Sequence, residues 1–288
     1  MPSGSDNRGA RSSAKSAKAI KAANKSSGGA RKGGLPKQRQ IPWLTIGAAV
    51  AVIALIALLA VNLVPKYQNK AEADKYAPSA SNPDPSTSIE GVVKIDYPAA
   101  LHVSSSQRVA YDQTPPFGGP HDATWATCTG VVYPNAIRTE NAVHSLEHGA
   151  VWIAYNPDKV SDADRQALAD RVDGKSYMLM SPYPGMDSPI AVQSWGHQLK
   201  VDSADDPRIN QFVAALRLNN FGAYPEKGAS CSTIPGAFDP DNPPAFDPTP
   251  PGPGAVSMDG KGLTPDTSES GAGAGAGLPM APQPAPGS

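Results

Sequence analysis

The chain has 288 residues, 31 prolines, 27 glycines and a formal net charge of −1. Length alone admits two domains, but so uneven a spread of Pro and Gly excludes a continuous core along the whole sequence. The near-zero charge conceals a split: residues 1–40 carry ten Lys/Arg against one acid, leaving 15 basic and 25 acidic side chains beyond them, and this places the two parts in different surroundings.

Residues 1–42 lack apolar periodicity and read as a basic disordered arm suited to anionic headgroups. No aromatic residue is interleaved to stack on bases before Trp43, so nucleic acid is not an expected partner. Leu44–Val64 is an uncharged run of 21 residues, flanked by Trp43 and Tyr67. It predicts a single transmembrane helix over 43–65, with the basic arm in the cytoplasm and the rest outside the cell membrane. The run is long for a signal peptide, and no small-x-small cleavage site follows it. Residues 66–89 read as a polar linker.

A single α+β domain is predicted over 90–235, with a mixed sheet and a thioredoxin-like arrangement among its options. Gly91–Tyr97 reads as a strand, Asn141–His148 as a short helix stopped by Gly149, and Ala150–Tyr155 as a buried strand. Ser161–Val172 reads as a helix capped by Ser161, followed by strands at Ser176–Ser181 and Ile190–Trp195 and a helix at Pro207–Leu218. Residues 236–288, rich in Pro, Gly and Ala, read as a disordered tail. Within them Ala237-Phe238-Asp239-Pro240 recurs as Ala245-Phe246-Asp247-Pro248, two aromatic hooks for a partner or a product of biased composition.

The chemistry concentrates in Val143-His144-Ser145-Leu146-Glu147-His148-Gly149. On a helix, His144 and His148 stand at i and i+4, close enough to share a metal ion. His102, His121 and His197 lie in the same domain, and His102, His121, His144 and His148 form the candidate ligand set. Met178 and Met180 share one strand face and would add soft thioethers, which tilts the choice from zinc toward copper. Cys128 and Cys231 lie beyond the span, where a disulfide is the natural state and metal ligation by a thiolate the rival. The absence of C-x-x-C removes support for thiol redox chemistry, and that of G-x-S-x-G for serine hydrolysis. His144-x-x-Glu147-His148 also fits the inverted zinc-peptidase pattern, with Glu147 as base and Glu226 available as third ligand. A purely structural role for the histidines is the bland alternative.

The blocks Tyr111–His121 (YDQTPPFGGPH), Trp125, AVHSLEHGAVWIAY, Ser181-Pro182-Tyr183-Pro184, Ser194-Trp195-Gly196 and Pro225–Cys231 resemble the actinobacterial family of domains of unknown function marked by HSLEHG (DUF 3105). The resemblance covers about residues 95–232. It implies a membrane-anchored or exported protein, and an accessory role beside the respiratory cytochrome bcc–aa3 supercomplex or its oxidase subunits. His121, His144 and His148 match the family blocks and His102 less distinctively, while Met178 and Met180 stand where leucine is common. The expectation is a copper-binding accessory protein that supports assembly, metallation or stability of that complex, with no small-molecule substrate and no catalytic residues.

Overall fold

The computed structural model describes residues 42–266 and 268. The basic arm, Pro42 apart, and the Gly-Ala repeat of the tail lie outside the described residues. Helix α1 (Trp43–Asp74) carries the apolar run and is long and apolar enough to cross a membrane, a test that a signal sequence also passes. It continues beyond the expected end at 65, through Pro65, to Asp74. The missing Pro N–H costs one helical bond, while the helix-forming stretch after it (Lys66–Asp74) sustains the turn.

The folded domain follows as β1 (Val92–Lys94), β2 (His102–Val103), β3 (His121–Asp122), β4 (Thr129–Val132), α2 (Thr139–Glu147), β5 (Val151–Tyr155), α3 (Asp162–Val172), β6 (Met178–Pro182), β7 (Ile190–Ser194), β8 (His197–Val201) and α4 (Pro207–Leu216). Six strands form one mixed sheet in the order β1-β8-β7-β5-β6-β4, and β2 pairs in parallel with β3. Strands β4, β6 and β5 are parallel, and β7 and β8 return antiparallel on the other side of β5. Taken from β4 to β8 the strands lie in the order 1-3-2-4-5.

Alternation along the strands separates two cores. Trp152, Ala154 and Leu179 point to the α2 side, where Val143 and Leu146 meet them. Val151, Ile153, Met178 and Met180 point to the opposite side, against Leu168 and Val172 of α3 and Phe212 of α4. Helix α3 starts as expected: the Ser161 hydroxyl accepts from Asp164 N–H at 3.1 Å. Strand β8 has no counterpart among the predicted elements. Ser194 pairs with His197 across the two-residue Trp195-Gly196 loop, so His197 opens a strand.

Gly149 ends α2 with φ +89°, and a Cβ there would sit 2.7 Å from the Tyr224 ring. Substitution would therefore combine left-handed strain with a steric clash. Gly149→Ala is expected to lower stability by about 2–4 kcal/mol in denaturant unfolding of the full chain. Gly118 permits a close approach of its loop to Tyr97, since a Cβ there would lie 2.2 Å from that ring.

The segment 66–89 is not the free linker expected. It is helical to Asp74, Ser86 and Ile89 are buried, and Asp84 is gripped by His197 (3.1 Å) and Lys94 (2.7 Å). Burial opposes ionisation of Asp84, but hydrogen bonds from His197, Lys94 and Ser86 outweigh it and hold the carboxyl well below its usual range. With the folded pKa depressed, this stabilisation is full above the unfolded value of 3.8 and is lost as pH falls toward the folded one. Asp84→Asn is expected to flatten the acid limb of thermal stability between about pH 4 and pH 2.

The tail is likewise not disordered over 236–266. Phe238 meets Tyr133 edge-on at 6.3 Å and Phe246 lies 4.9 Å from Tyr183, so both aromatic hooks dock on the chain's own domain. Arg108 binds Asp247 at 2.8 Å, and Val256 bridges to Val109. Composition hid this strap because its few anchors are spaced by prolines rather than by a helical or strand period.

Candidate metal centre

Three elements and one loop converge beside β5. The last turns of α2 supply His144 and Glu147, and His148 caps its end. The parallel pair β2–β3 places His102 opposite His121 in register. Glu226 comes from the irregular segment after α4, where its N–H donates to Glu147 O at 3.2 Å. His144 is the hub: its ring centroid lies 4.9 Å from that of His102, 4.7 Å from His121 and 4.6 Å from His148.

Two overlapping donor groups result. His102, His121, His144 and Glu147 offer ligand atoms within 4.8 Å of one another, as do His144, His148 and Glu226. Four of these six residues are fully buried, Glu226 is 1% exposed, and the His102 side chain is 10% exposed.

Backbone carbonyls fix the tautomers. His121 Nδ1 donates to Gly119 O (2.8 Å), His144 Nδ1 to Asp122 O (2.6 Å) and His148 Nδ1 to Ser230 O (2.7 Å). A backbone carbonyl can only accept, so each Nδ1 carries the proton and a neutral ring turns its Nε2 lone pair inward. His121 Nε2 then faces Glu147 Oε2 at 2.7 Å, and His148 Nε2 faces Glu226 Oε2 at 3.1 Å. The first pair is not aligned as a hydrogen bond: His121 Nε2 and Glu147 Oε2 both lack a hydrogen-bond partner, as do His102 Nε2 and both Glu226 carboxylate oxygens.

Buried acceptors facing acceptors repel unless a cation lies among them. A proton on His121 would relieve one such contact but leave His102 and Glu226 unsatisfied; a metal ion held within a group relieves the contacts of that group. Glu147 Oε1 is held by Ala100 N–H at 2.8 Å. Burial pushes the Glu147 pKa up; when the His121 and His144 rings carry a positive charge, they and that N–H outweigh it and hold the carboxyl below its ordinary range.

The expected ligands His102, His121, His144 and His148 thus meet. Met178 and Met180 do not. They pack against α3 and α4 on the far face of the sheet, because residues i and i+2 of β6 point away from α2 while Leu179 between them points toward it. The thioether argument for copper goes with them. Glu147 and Glu226 enter as donors instead, Glu226 in the place that the peptidase pattern left for a third ligand. Glu147 is fully buried, its Oε1 accepting from Ala100 N–H and its Oε2 facing His121. His197 lies outside the cluster, donating through Nδ1 to Trp195 O (2.7 Å) and meeting Asp84. Cys128 and Cys231 form a disulfide with Cα atoms 4.8 Å apart, and so are not ligands.

Compared with known proteins, residues 102–233 match the model of a family described as a protein of unknown function (DUF3105). No curated protein and no solved structure matches the chain.

Proposed function

We propose that the folded domain, matched by the DUF3105 family model over residues 102–233, is a membrane-anchored, extracytoplasmic metal-binding module. The observation that carries this reading is the buried set of inward-facing Nε2 atoms and carboxylate oxygens, held 2.7–3.1 Å apart with backbone carbonyls on the opposite ring nitrogens. His144 would hold the ion, together with His102, His121 and Glu147 or with His148 and Glu226. One Nε2 serves one ion, so the sharing of His144 by both groups favours a single ion per chain.

The donors are imidazole nitrogen and carboxylate oxygen, which suit Zn(II) or Cu(II), with copper first by intrinsic affinity. The ion at such a closed site supplies cross-linking and a held charge, while the chain's residues orient the rings and exclude water. The basic arm and the disulfide support placement of this domain outside the cytoplasm. Support of assembly, metallation or stability of a respiratory cytochrome bcc–aa3 supercomplex or its oxidase rests on the family resemblance.

The test is metal content of the full chain in detergent, stripped with chelator and reloaded with Cu(II) or Zn(II). One retained ion per folded chain is expected, with a raised unfolding midpoint. A folded chain that retains neither ion after desalting sinks the reading. Zinc retention with peptide hydrolysis that Glu147→Gln abolishes would move the assignment to a peptidase.

A further inference from the structure

A cleft of about 690 Å³ opens where the end of α1 meets α3 and α4. Lys66, Lys70, Arg171, Lys175 and Arg217 line it, against only two acids, Asp74 and Asp170; Met178 forms part of its floor. Lys70 is matched by Asp74 at 2.6 Å. Among the described residues, Arg171, Lys175 and Arg217 have no ion pair. They donate instead to the backbone carbonyls of Ala167, Asp170 and Ser176, and the nearby Asp170 and Asp205 carboxylates offset only part of their three positive charges. Arg171 Nε is buried without a hydrogen bond. Burial, then Arg217 and Arg171, hold the Lys175 pKa below its ordinary value, and burial does the same to Arg171. Three cations gathered in one concavity call for an anion.

The position selects which anion. Lys66, Asn69, Lys70 and Ala73 line the cleft at a helical spacing, directly after the apolar run that ends at Val64. For an upright helix Lys66 and Lys70 stand about 3 and 9 Å beyond Val64. A headgroup layer extends roughly 5–7 Å beyond the hydrocarbon edge. Lys66 therefore stands within the headgroup layer and Lys70 just beyond it, at the reach of lipid phosphates. A soluble anion has no need of that placement.

We propose that this cleft holds the anionic headgroup of a phospholipid drawn from the leaflet beneath the domain, its phosphate between Arg171, Lys175 and Arg217. The proposal rests on the reading of α1 as a membrane span, and is independent of the metal centre on the other face of the sheet. A bound lipid would join α1 to α3 and α4 and fix how the domain stands on its anchor.

The test uses the full chain in nanodiscs of phosphatidylcholine alone or mixed with phosphatidylglycerol, with retained lipids counted by native mass spectrometry after release into detergent. Retention of phosphatidylglycerol over phosphatidylcholine is expected. It should fall at least about tenfold in the Arg171→Gln/Lys175→Gln/Arg217→Gln variant. The pair Lys175→Gln/Arg217→Gln, at exposed positions, should show the same direction with the fold intact. Equal retention of both lipids by the wild type, or equal retention by wild type and pair, overturns the proposal. So does displacement of the lipid by millimolar inorganic phosphate, which would mark a soluble-anion site. A chain that stays in solution without detergent or lipid overturns the membrane span and the proposal with it, whereas a chain that enters the disc without selecting lipid leaves the span standing.

Discussion

His144→Ala is expected to abolish stoichiometric metal binding, with affinity lowered at least about a hundredfold. The reason is the hub position: His144 belongs to both donor groups, so its loss breaks His102–His121–Glu147 and His148–Glu226 into separate fragments. Each fragment keeps at most three donors, and the two fragments no longer face a common centre. His102→Ala should do less, because His144, His148 and Glu226 remain together and His102 is the most exposed of the six side chains. Isothermal titration of the stripped full chain with Zn(II) and Cu(II) would order the variants. If His144→Ala folds and binds as tightly as wild type, the two donor groups do not form one centre. A fold check is straightforward, since Trp125 packs edge-on to both His144 (5.6 Å) and His148 (4.7 Å) and reports on the cluster by fluorescence.

The histidine part of this centre was legible in the sequence and the carboxylate part only half so. His144 and His148 stand at helical spacing in a stretch ended by glycine, and that spacing alone implies one face. His102 and His121 required tertiary information: they meet through a parallel pair of two-residue strands, too short to leave a periodic signal. Glu147 stood inside the motif but was legible only as a catalytic base, because sequence does not say which side of α2 faces β3. Glu226 was visible only as the isolated glutamate between Glu147 and the tail. The methionines misled for a reason that strand geometry supplies. Two thioethers on one strand face are indeed together, but whether that face looks at the histidines depends on which side of the sheet α2 covers. The same limit applies to the fold. Helices α3 and α4 announced themselves by Ser161 and Pro207, whereas β8 followed a Trp-Gly turn that carries a weaker hairpin signal than Asn-Gly. The strap at 236–266 buries only a few side chains among many exposed ones, and no composition measure detects such sparse anchoring.

Removal of the disulfide by Cys128→Ala/Cys231→Ala is expected to have the largest effect on stability, and to reach the metal centre as well. The bond closes a loop of 103 residues that contains α2, β5 to β8 and α4. For a loop of roughly 100 residues the chain-entropy model gives about 4.7 kcal/mol, and loss of a native disulfide commonly costs about 2–5. Cys231 also ends the irregular segment that carries Glu226 and Ser230, the latter accepting from His148 Nδ1. The segment is also tied by hydrogen bonds: Glu226 N–H donates to Glu147 O at 3.2 Å, Cys128 N–H to Cys231 O at 3.0 Å, Tyr177 Oη to Ala229 O at 2.8 Å and Trp125 Nε1 to Ser232 O at 3.0 Å. Without the covalent bond these alone keep Glu226, and the Ser230 carbonyl that accepts from His148, in place. Metal affinity should then fall about ten- to a hundredfold even under conditions where the variant is fully folded. Denaturant unfolding and metal titration of the same full-chain sample read the two effects separately. A folded variant that binds metal as the wild type does would show that α2 and the β2–β3 pair hold the ion by themselves, and that Glu226 is a bystander. Reduction of the wild type under mild denaturant should reproduce both losses, which ties the centre to an oxidising compartment: where the thiols stay reduced, the site lacks its third wall.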